Sequence, residues 1–229
     1  MGEEQIHEGH RQRQKKKYLE HGLESFTDIE AIELLLFYAI PRRNTNELAH
    51  ALLNRFKSFR GVLEAEQTEL ESVPGIGENA ALLIRLVSSL SSRYMISANA
   101  HGAVISGSAE AGAYLLPYFK YRREERTVML SLDTAGRVID CHRLAEGSPG
   151  MVGLPVRELV DLALRDKAAR VILAHNHMSG VALPSSTDVD TTARLYRMLQ
   201  MIEVELLDHI IISEGDFVSM RDSGFFGQF

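Results

Sequence analysis

The chain lacks several features that mark particular protein classes. It has 229 residues, of which a single one is cysteine, Cys141, and none is tryptophan. One cysteine excludes an intramolecular disulfide framework. No apolar run approaches the roughly 20 residues of a membrane-spanning helix, so we expect no membrane association. Residues 1–22 also lack the apolar stretch of a secretory signal, and we therefore expect a cytoplasmic protein.

The chain also lacks an excess of positive charge. It carries 25 Lys+Arg against 31 Asp+Glu, a formal net charge of −6, which argues against a globally basic nucleic-acid binder. One basic run stands out, formed by Arg11, Arg13, Lys15, Lys16 and Lys17. Such a run is typical of a solvated helix face or a mobile arm. Contact with DNA phosphates is the alternative, and that interpretation needs a neighbouring DNA-binding element.

Helical periodicity dominates residues 1–99, which we predict to form a small all-α domain. Thr27 or Asp28 can cap the first amphipathic segment. The spacing of apolar side chains predicts helices over residues 28–40, 44–56 and 78–94.

A tight turn, Val-Pro-Gly-Ile-Gly at residues 73–77, lies between two predicted helices. The glycines permit unusual backbone torsions, and the first amides of the next helix can receive a phosphate oxygen. The pattern resembles the helix-hairpin-helix hairpin, which grips the DNA backbone without reading sequence. DNA binding through Pro74–Gly77 is therefore one expectation, and a helix–helix turn without a ligand is the other.

Beyond the small polar segment 97–102 the pattern changes, and residues 100–229 are predicted to form an α/β domain. Helices are predicted over residues 109–121, 156–167 and 186–203, and Met201 is predicted to lie in the core. Strands are predicted over residues 127–132, 138–142, 171–174, 206–213 and 217–220.

The sequence His175-Asn176-His177 closes one predicted strand. Residues two apart on a strand project from one face, so both imidazoles can reach one ion. Asp188 falls in the first turn of the next predicted helix and can point into the same site. Two imidazoles and a carboxylate suit zinc and leave a position for water, whose pKa the metal lowers. Histidines at a strand end are by themselves often only polar loop residues, but the longer pattern that includes Ser185 and Asp188 is far more specific.

That longer pattern resembles the JAMM (MPN-plus) metallopeptidase motif, and its surroundings resemble the RadC family (UPF0758). The resemblance runs from about Gly9 to the C-terminus. It implies a mixed-sheet JAMM/MPN domain of the cytidine-deaminase-like type, preceded by a small all-α helix-hairpin-helix domain. The segments that carry it, besides the motif, are 24–28, 34–41, 73–80, 130–133, 146–148 and 154–158.

The resemblance also implies roles for individual residues. Glu125 matches the general base, which would take a proton from the zinc-bound water and deliver it to a leaving amine. Glu124 is one residue away and stays open as the base; a solvated helix end is the alternative for both. Ser185 matches the motif serine, which can hydrogen-bond the water or a developing oxyanion, although it can also be a helix N-cap.

Some residues depart from the family pattern or play a lesser part. Met178 stands where the family usually has proline, and residues 181–183 are apolar where polar residues are usual; no ligand is lost. His209 is interpreted as a structural histidine in an apolar strand. Cys141 and His142 could bind a metal together, but two ligands without partners make a weak case.

We therefore predict a zinc-dependent JAMM-type hydrolase acting on a peptide or isopeptide substrate that the sequence does not identify. One alternative is a DNA-associated module with a structural or vestigial zinc site, which predicts salt-sensitive DNA binding without metal. A zinc-dependent nuclease is another. Deamination is disfavoured, because deaminase sites usually draw on a Cys-x-x-Cys pair.

Overall fold

The chain forms two compact units, Met1–Ser91 and Ser92–Phe229. The division lies N-terminal to the predicted boundary at residues 99 and 100, which is outside the described residues. For residues 3–8, 98 and 146 only the backbone is described. The computed structural model describes residues 3–41, 43–98, 102–120, 124–146, 154–178, 180–213 and 215–229.

The first unit is helical, as predicted. Its helices are α1 (Glu3–His21), α2 (Asp28–Ala39), α3 (Asn46–Phe56), α4 (Phe59–Glu64), α5 (Gln67–Glu71) and the start of α6 (Glu78–Ala98), with a short 3-10 turn over Leu23–Ser25. Thr27 caps α2 in a capping box with Glu30, so two otherwise unpaired backbone groups are satisfied. The core lies between the helices and includes Leu36, Leu52 and Ile84, all fully buried.

Arg11 fastens α1 to the end of α2. Its guanidinium lies 4.7 Å from the centre of the Phe37 ring. The same group donates hydrogen bonds of 3.3, 2.7 and 2.7 Å to the carbonyl oxygens of Phe37, Ile40 and Arg43. A cation at a helix C-terminus stabilises the carbonyls that the helix leaves unpaired. Arg11 is consequently a buried structural residue and does not present its charge to solvent.

The second unit is an α/β domain, as predicted. Its helices after α6 are α7 (Ser108–Phe119), α8 (Val156–Arg165) and α9 (Ser186–Gln200), and a 3-10 turn covers Phe225–Gln228. The strands are β1 (Arg126–Leu132), β2 (Val138–Glu146), β3 (Arg170–Asn176), β4 (Glu205–Ser213) and β5 (Asp216–Ser219). Among the described residues they form one mixed sheet in the order β2-β1-β3-β4-β5. Strands β3 and β4 are parallel, and the other neighbours are antiparallel.

Helices cover both faces of this sheet. Leu115 of α7 packs with Val128 and other residues of one face. Leu159 of α8 and Leu195 of α9 pack with Met129 on the opposite face. Val128 and Met129 belong to different clusters because successive side chains of a strand point to opposite faces. Strand β3 is the central strand of the sheet, between β1 and β4, and is buried over most of its length. Its C-terminal end therefore lies near the middle of one edge of the sheet.

Several boundary predictions were wrong. Helix α6 and strand β2 each end four residues later than predicted, at Ala98 and Glu146. Helix α9 ends at Gln200 instead of continuing to Glu203, whose positive φ of 57° is incompatible with a right-handed helix. Met201 is the C-cap and is 80% exposed. The prediction that it lies in the core was therefore wrong. Within the part of the chain that the structure describes, no helix combines the length and the apolarity that crossing a bilayer requires.

Candidate metal site

The end of β3 and the start of α9 bring three predicted ligands together. His175 lies in β3, His177 follows that strand, and Asp188 is the third residue of α9. His175 Nε2 lies 2.8 Å from His177 Nε2 and 3.2 Å from Asp188 Oδ1. His177 Nε2 lies 3.1 Å from Asp188 Oδ2. Ligand atoms of a tetrahedral zinc ion are about 3.3 Å apart, so the cluster has nearly the dimensions of such a site.

The charges of the cluster also suit a cation. Burial opposes the ionisation of Asp188, but the electrostatic interactions with His175 and His177 outweigh it and hold the pKa of this carboxyl well below its usual range. The same pairing with Asp188 raises the pKa of His177. Asp188 Oδ1 is buried and accepts no hydrogen bond from any described residue, although His175 Nε2 lies 3.2 Å away. A divalent metal ion would satisfy this oxygen, so the residues fit zinc.

Ser185 holds the Asp188 carboxylate in place. Its backbone amide and its hydroxyl donate hydrogen bonds of 2.7 and 2.6 Å to Asp188 Oδ2. The Asp188 amide donates in return to Ser185 Oγ at 3.2 Å, which completes a capping box at the start of α9. The serine is therefore the helix N-cap, and its hydroxyl proton is directed at the carboxylate. Its role towards an oxyanion stays a prediction.

The segment that carries the predicted base is fastened to the end of β3. Asn176 Oδ1 accepts a hydrogen bond of 2.8 Å from the Arg126 amide, and its Nδ2 donates one of 3.1 Å to the Glu124 carbonyl oxygen. Glu125 lies between these two anchored residues and is partly buried. Its negative charge contributes to the raised pKa of His177, whereas the Glu124 side chain is exposed. This placement favours Glu125 over Glu124 as the base, an assignment that stays a prediction.

His209 has a closer relation to the site than the sequence indicated. It is fully buried, as expected of a structural histidine, but its Nε2 lies 2.8 Å from His175 Nδ1. Its Nδ1 lies 2.6 Å from Thr192 Oγ1. Burial lowers the pKa of His209 well below its usual value, so the ring is neutral. The only indication of this contact in the sequence was the presence of a histidine within the apolar run of β4.

A second group of possible ligands lies on β2 and at the end of α8. Atoms of Asp140, His142 and Asp166 lie within 4.8 Å of one another. His142 Nε2 is 2.5 Å from Asp166 Oδ2, and this hydrogen bond is shorter than the 3.8 Å contact between His142 Nε2 and Asp140 Oδ2. Burial raises the pKa of the Cys141 thiol to about 12, so it stays protonated and is a poor metal ligand. The pairing of Cys141 with His142 on a metal therefore gains no support.

Comparison with known proteins finds a family match for a region in each of the two units. Residues 105–225 match the model of the RadC-like JAB domain, and residues 6–82 match the model described as UPF0758 N-terminal. The chain belongs to the RadC (UPF0758) family. A UPF0758 protein of Tolumonas auensis is 34% identical over 213 residues, which cover 93% of this chain and 95% of the relative. A UPF0758 protein of Shewanella halifaxensis is 33% identical over 210 residues, covering 92% and 93%.

Membership of the RadC family confirms the predicted fold class. The helical unit and the mixed sheet correspond to the two matched regions. JAB domains are generally hydrolytic and typically bind a metal, and the three clustered ligands lie within the matched RadC-like domain. Beside them this chain exposes apolar side chains, with relative exposures of 48% for Met178, 53% for Val181 and 63% for Leu183.

Proposed function

We propose that the RadC-like domain hydrolyses an amide bond of a peptide or isopeptide with a zinc ion held by His175, His177 and Asp188. One observation carries the proposal: atoms of the three ligand residues contact one another at 2.8–3.2 Å, and one of these atoms, Asp188 Oδ1, is buried without a hydrogen bond from any described residue. Zinc held there would act as a Lewis acid towards the scissile carbonyl and would lower the pKa of water.

The protein side chains supply proton transfer and orientation. Glu125 accepts the proton of the attacking water and returns it to the leaving amine. The His177 side chain is 13% exposed, against 1% for His175, so the substrate approaches from the His177 side. Ser185 can donate to the oxyanion once its hydroxyl exchanges its bond to Asp188. The apolar rim of Met178 and Val181 favours a substrate with apolar side chains at this edge.

Metal content of the full chain tests the site. We expect about one zinc per chain in the wild type and loss of it in His177→Ala and Asp188→Ala, since each change removes a ligand. His50→Ala is the matched control, because His50 is exposed on α3, and it should keep the metal. A wild-type protein that takes up no zinc when zinc is added would rule out the metal-dependent hydrolase.

A variant of the base separates peptide hydrolysis from the other chemistries. Glu125→Gln should keep the zinc, because Glu125 is not among the clustered ligands, and should lose amide hydrolysis. Assays of wild type and variant on peptide, isopeptide and DNA substrates decide the reaction class. Cleavage of DNA alone by the wild type would establish the nuclease, and cleavage of no substrate by the zinc-loaded protein would favour a structural zinc.

The hairpin supports DNA binding as a second function. Residues 73–77 turn between α5 and α6, with Val73 and Ile76 anchored in the core. Gly75 has a φ of +92°, and a Cβ there would lie 2.7 Å from Leu48 Cδ2, so the turn requires glycine. A Cβ at Gly77 would meet no described atom within 4 Å. The amide of Ala80, the third residue of α6, donates to the Gly77 carbonyl oxygen, which leaves the first two amides of the helix to bind a phosphate.

The basic run contributes less to that function than its charge suggests. Arg11 is buried against α2, and Lys17 forms an ion pair of 2.8 Å with Glu30. Binding to the DNA phosphates would therefore depend mainly on the hairpin. Gly77→Asp tests this, since an aspartate N-cap preserves the helix while its charge repels phosphate. We expect it to abolish the salt-sensitive binding of a labelled duplex to metal-free protein in fluorescence anisotropy. Unchanged binding would refute the hairpin as the contact.

A further inference from the structure

A row of hydrogen bonds joins the backbone of one predicted ligand to the ring of another. Thr192 Oγ1 lies 2.5 Å from the Asp188 carbonyl oxygen and 2.6 Å from His209 Nδ1. His209 Nε2 lies 2.8 Å from His175 Nδ1. All four residues are buried, so the position of each proton is decided by which atoms can donate and which can accept.

The direction of these bonds follows from the Asp188 carbonyl, which can only accept. The Thr192 hydroxyl donates its one proton there, since the Met220 sulfur at 3.8 Å is a weak acceptor. The Thr192 oxygen then accepts, so His209 Nδ1 carries a proton. A buried neutral imidazole has one proton, and His209 Nε2 therefore accepts from His175 Nδ1. The proton of a neutral His175 ring thus lies on Nδ1, and its Nε2 keeps a free lone pair.

We propose that Thr192 and His209 are positioning residues that hold His175 in the Nδ1-protonated tautomer and so present its Nε2 to the metal. The inference rests on the metal site of the proposed function, but not on its hydrolytic activity. Metal-binding histidines commonly donate their second nitrogen to a partner that fixes the tautomer. Here the partner is a second imidazole, whose own orientation is set by the hydroxyl of Thr192.

The competing arrangement reverses the two bonds to the imidazoles and gives up the bond from Thr192 to the Asp188 carbonyl oxygen. Thr192 would donate to His209 Nδ1, His209 Nε2 would donate to His175 Nδ1, and His175 would carry its proton on Nε2, which blocks the ligand atom. That proton would need an acceptor among its neighbours. The nearest atom, His177 Nε2 at 2.8 Å, donates to the Asp188 Oδ2 carboxylate oxygen and so cannot accept. Asp188 Oδ1, 3.2 Å from His175 Nε2, accepts no hydrogen bond from any described residue. The geometry thus favours the Nδ1-protonated form.

The zinc affinity of the full chain tests the role of Thr192, with a competing chelator as the readout. Thr192→Val keeps the shape of the side chain but removes the acceptor of His209 Nδ1. We expect its affinity to fall about 10- to 100-fold, the range for lost partners of ligating histidines. Thr192→Ser restores the hydroxyl and should return the affinity to within about threefold of wild type. Wild-type affinity in a folded Thr192→Val protein would overturn the proposal.

Long-range 1H–15N correlation spectra of the imidazoles test the tautomers directly. In metal-free wild type we expect protonated Nδ1 on both His175 and His209, and a proton on Nε2 of His209 would overturn the proposal. The zinc affinities of His209→Gln and His209→Leu give a second comparison, because only glutamine can accept from His175 and donate to Thr192. Wild type that binds no zinc refutes the proposed function, while the spectra still decide the tautomer. Zinc binding without hydrolysis refutes the activity alone, and the affinities still decide the role of Thr192.

Discussion

Asn176, the middle residue of the His-Asn-His sequence, is expected to anchor the base segment rather than bind metal. Its side chain is buried and bridges the Arg126 amide and the Glu124 carbonyl at 2.8 and 3.1 Å. Asn176→Ala removes both hydrogen bonds, each worth about 1 kcal/mol net. The buried Arg126 amide also loses Asn176 Oδ1 as its acceptor, which costs about 1–3 kcal/mol more. We expect the free energy of unfolding to fall by about 2–4 kcal/mol.

Urea denaturation of the zinc-free protein measures this loss. Asn79→Ala makes the same substitution at an exposed position near the start of α6 and should change stability by about 0.5 kcal/mol or less. Asn176→Asp should not restore stability, because a carboxylate oxygen would face the Glu124 carbonyl oxygen at about the distance now spanned by Nδ2. A loss below about 0.5 kcal/mol in Asn176→Ala, or loss of zinc from the folded variant, would refute the anchoring role.

Three further predictions concern stability and can be measured by urea titration. Arg11→Met should cost about 2–4 kcal/mol, because three carbonyl oxygens lose a charged donor, while Met at exposed Arg13 should cost about 0.5 kcal/mol or less; equal effects would contradict the structural role. The bond from Lys17, together with the Thr27 amide, lowers the pKa of Glu30 from 4.5 to about 2. Its stabilisation, about 1 kcal/mol for a partly exposed pair, should therefore be complete above pH 4.5 and disappear towards pH 2, and Glu30→Gln should lack this pH dependence. Gly112→Ala would place a Cβ 2.4 Å from the Phe217 ring and should cost about 1–3 kcal/mol; a neutral effect would mean that the ring moves freely.

The local part of the site could be predicted from the sequence. His177 and Asp188 are only 11 positions apart. The alternation of a strand places His175 and His177 on one face, and the preference of serine for the N-cap places Asp188 in the first turn of α9. These rules act over a few residues, so they need no knowledge of the tertiary structure. The N-cap of α2 was narrowed to Thr27 or Asp28 for the same reason, and the structure shows that it is Thr27.

The non-local contacts could not be predicted in the same way. His209 meets His175 because β4 pairs with β3 in a register that aligns Ala174 with Ile210. Hydrophobic alternation shows which residues share a face, but it does not give the register of parallel strands joined by a helix. The anchoring of the Glu124 segment depends likewise on the antiparallel register of β1 and β3. A lone histidine in an apolar strand was therefore indistinguishable from an ordinary core residue.

The separations along the chain also set the order in which the site is completed as the protein folds. His177 and Asp188 are 11 positions apart, whereas His175 and His209 are 34 apart and Asn176 and Glu124 are 52 apart. Short loops close at a lower entropic cost, and non-local strand pairing is slow. We therefore expect the ligands to meet before β1 and β4 dock beside β3. A metal ion available during synthesis would encounter the ligand cluster before the base and the histidine partner have arrived.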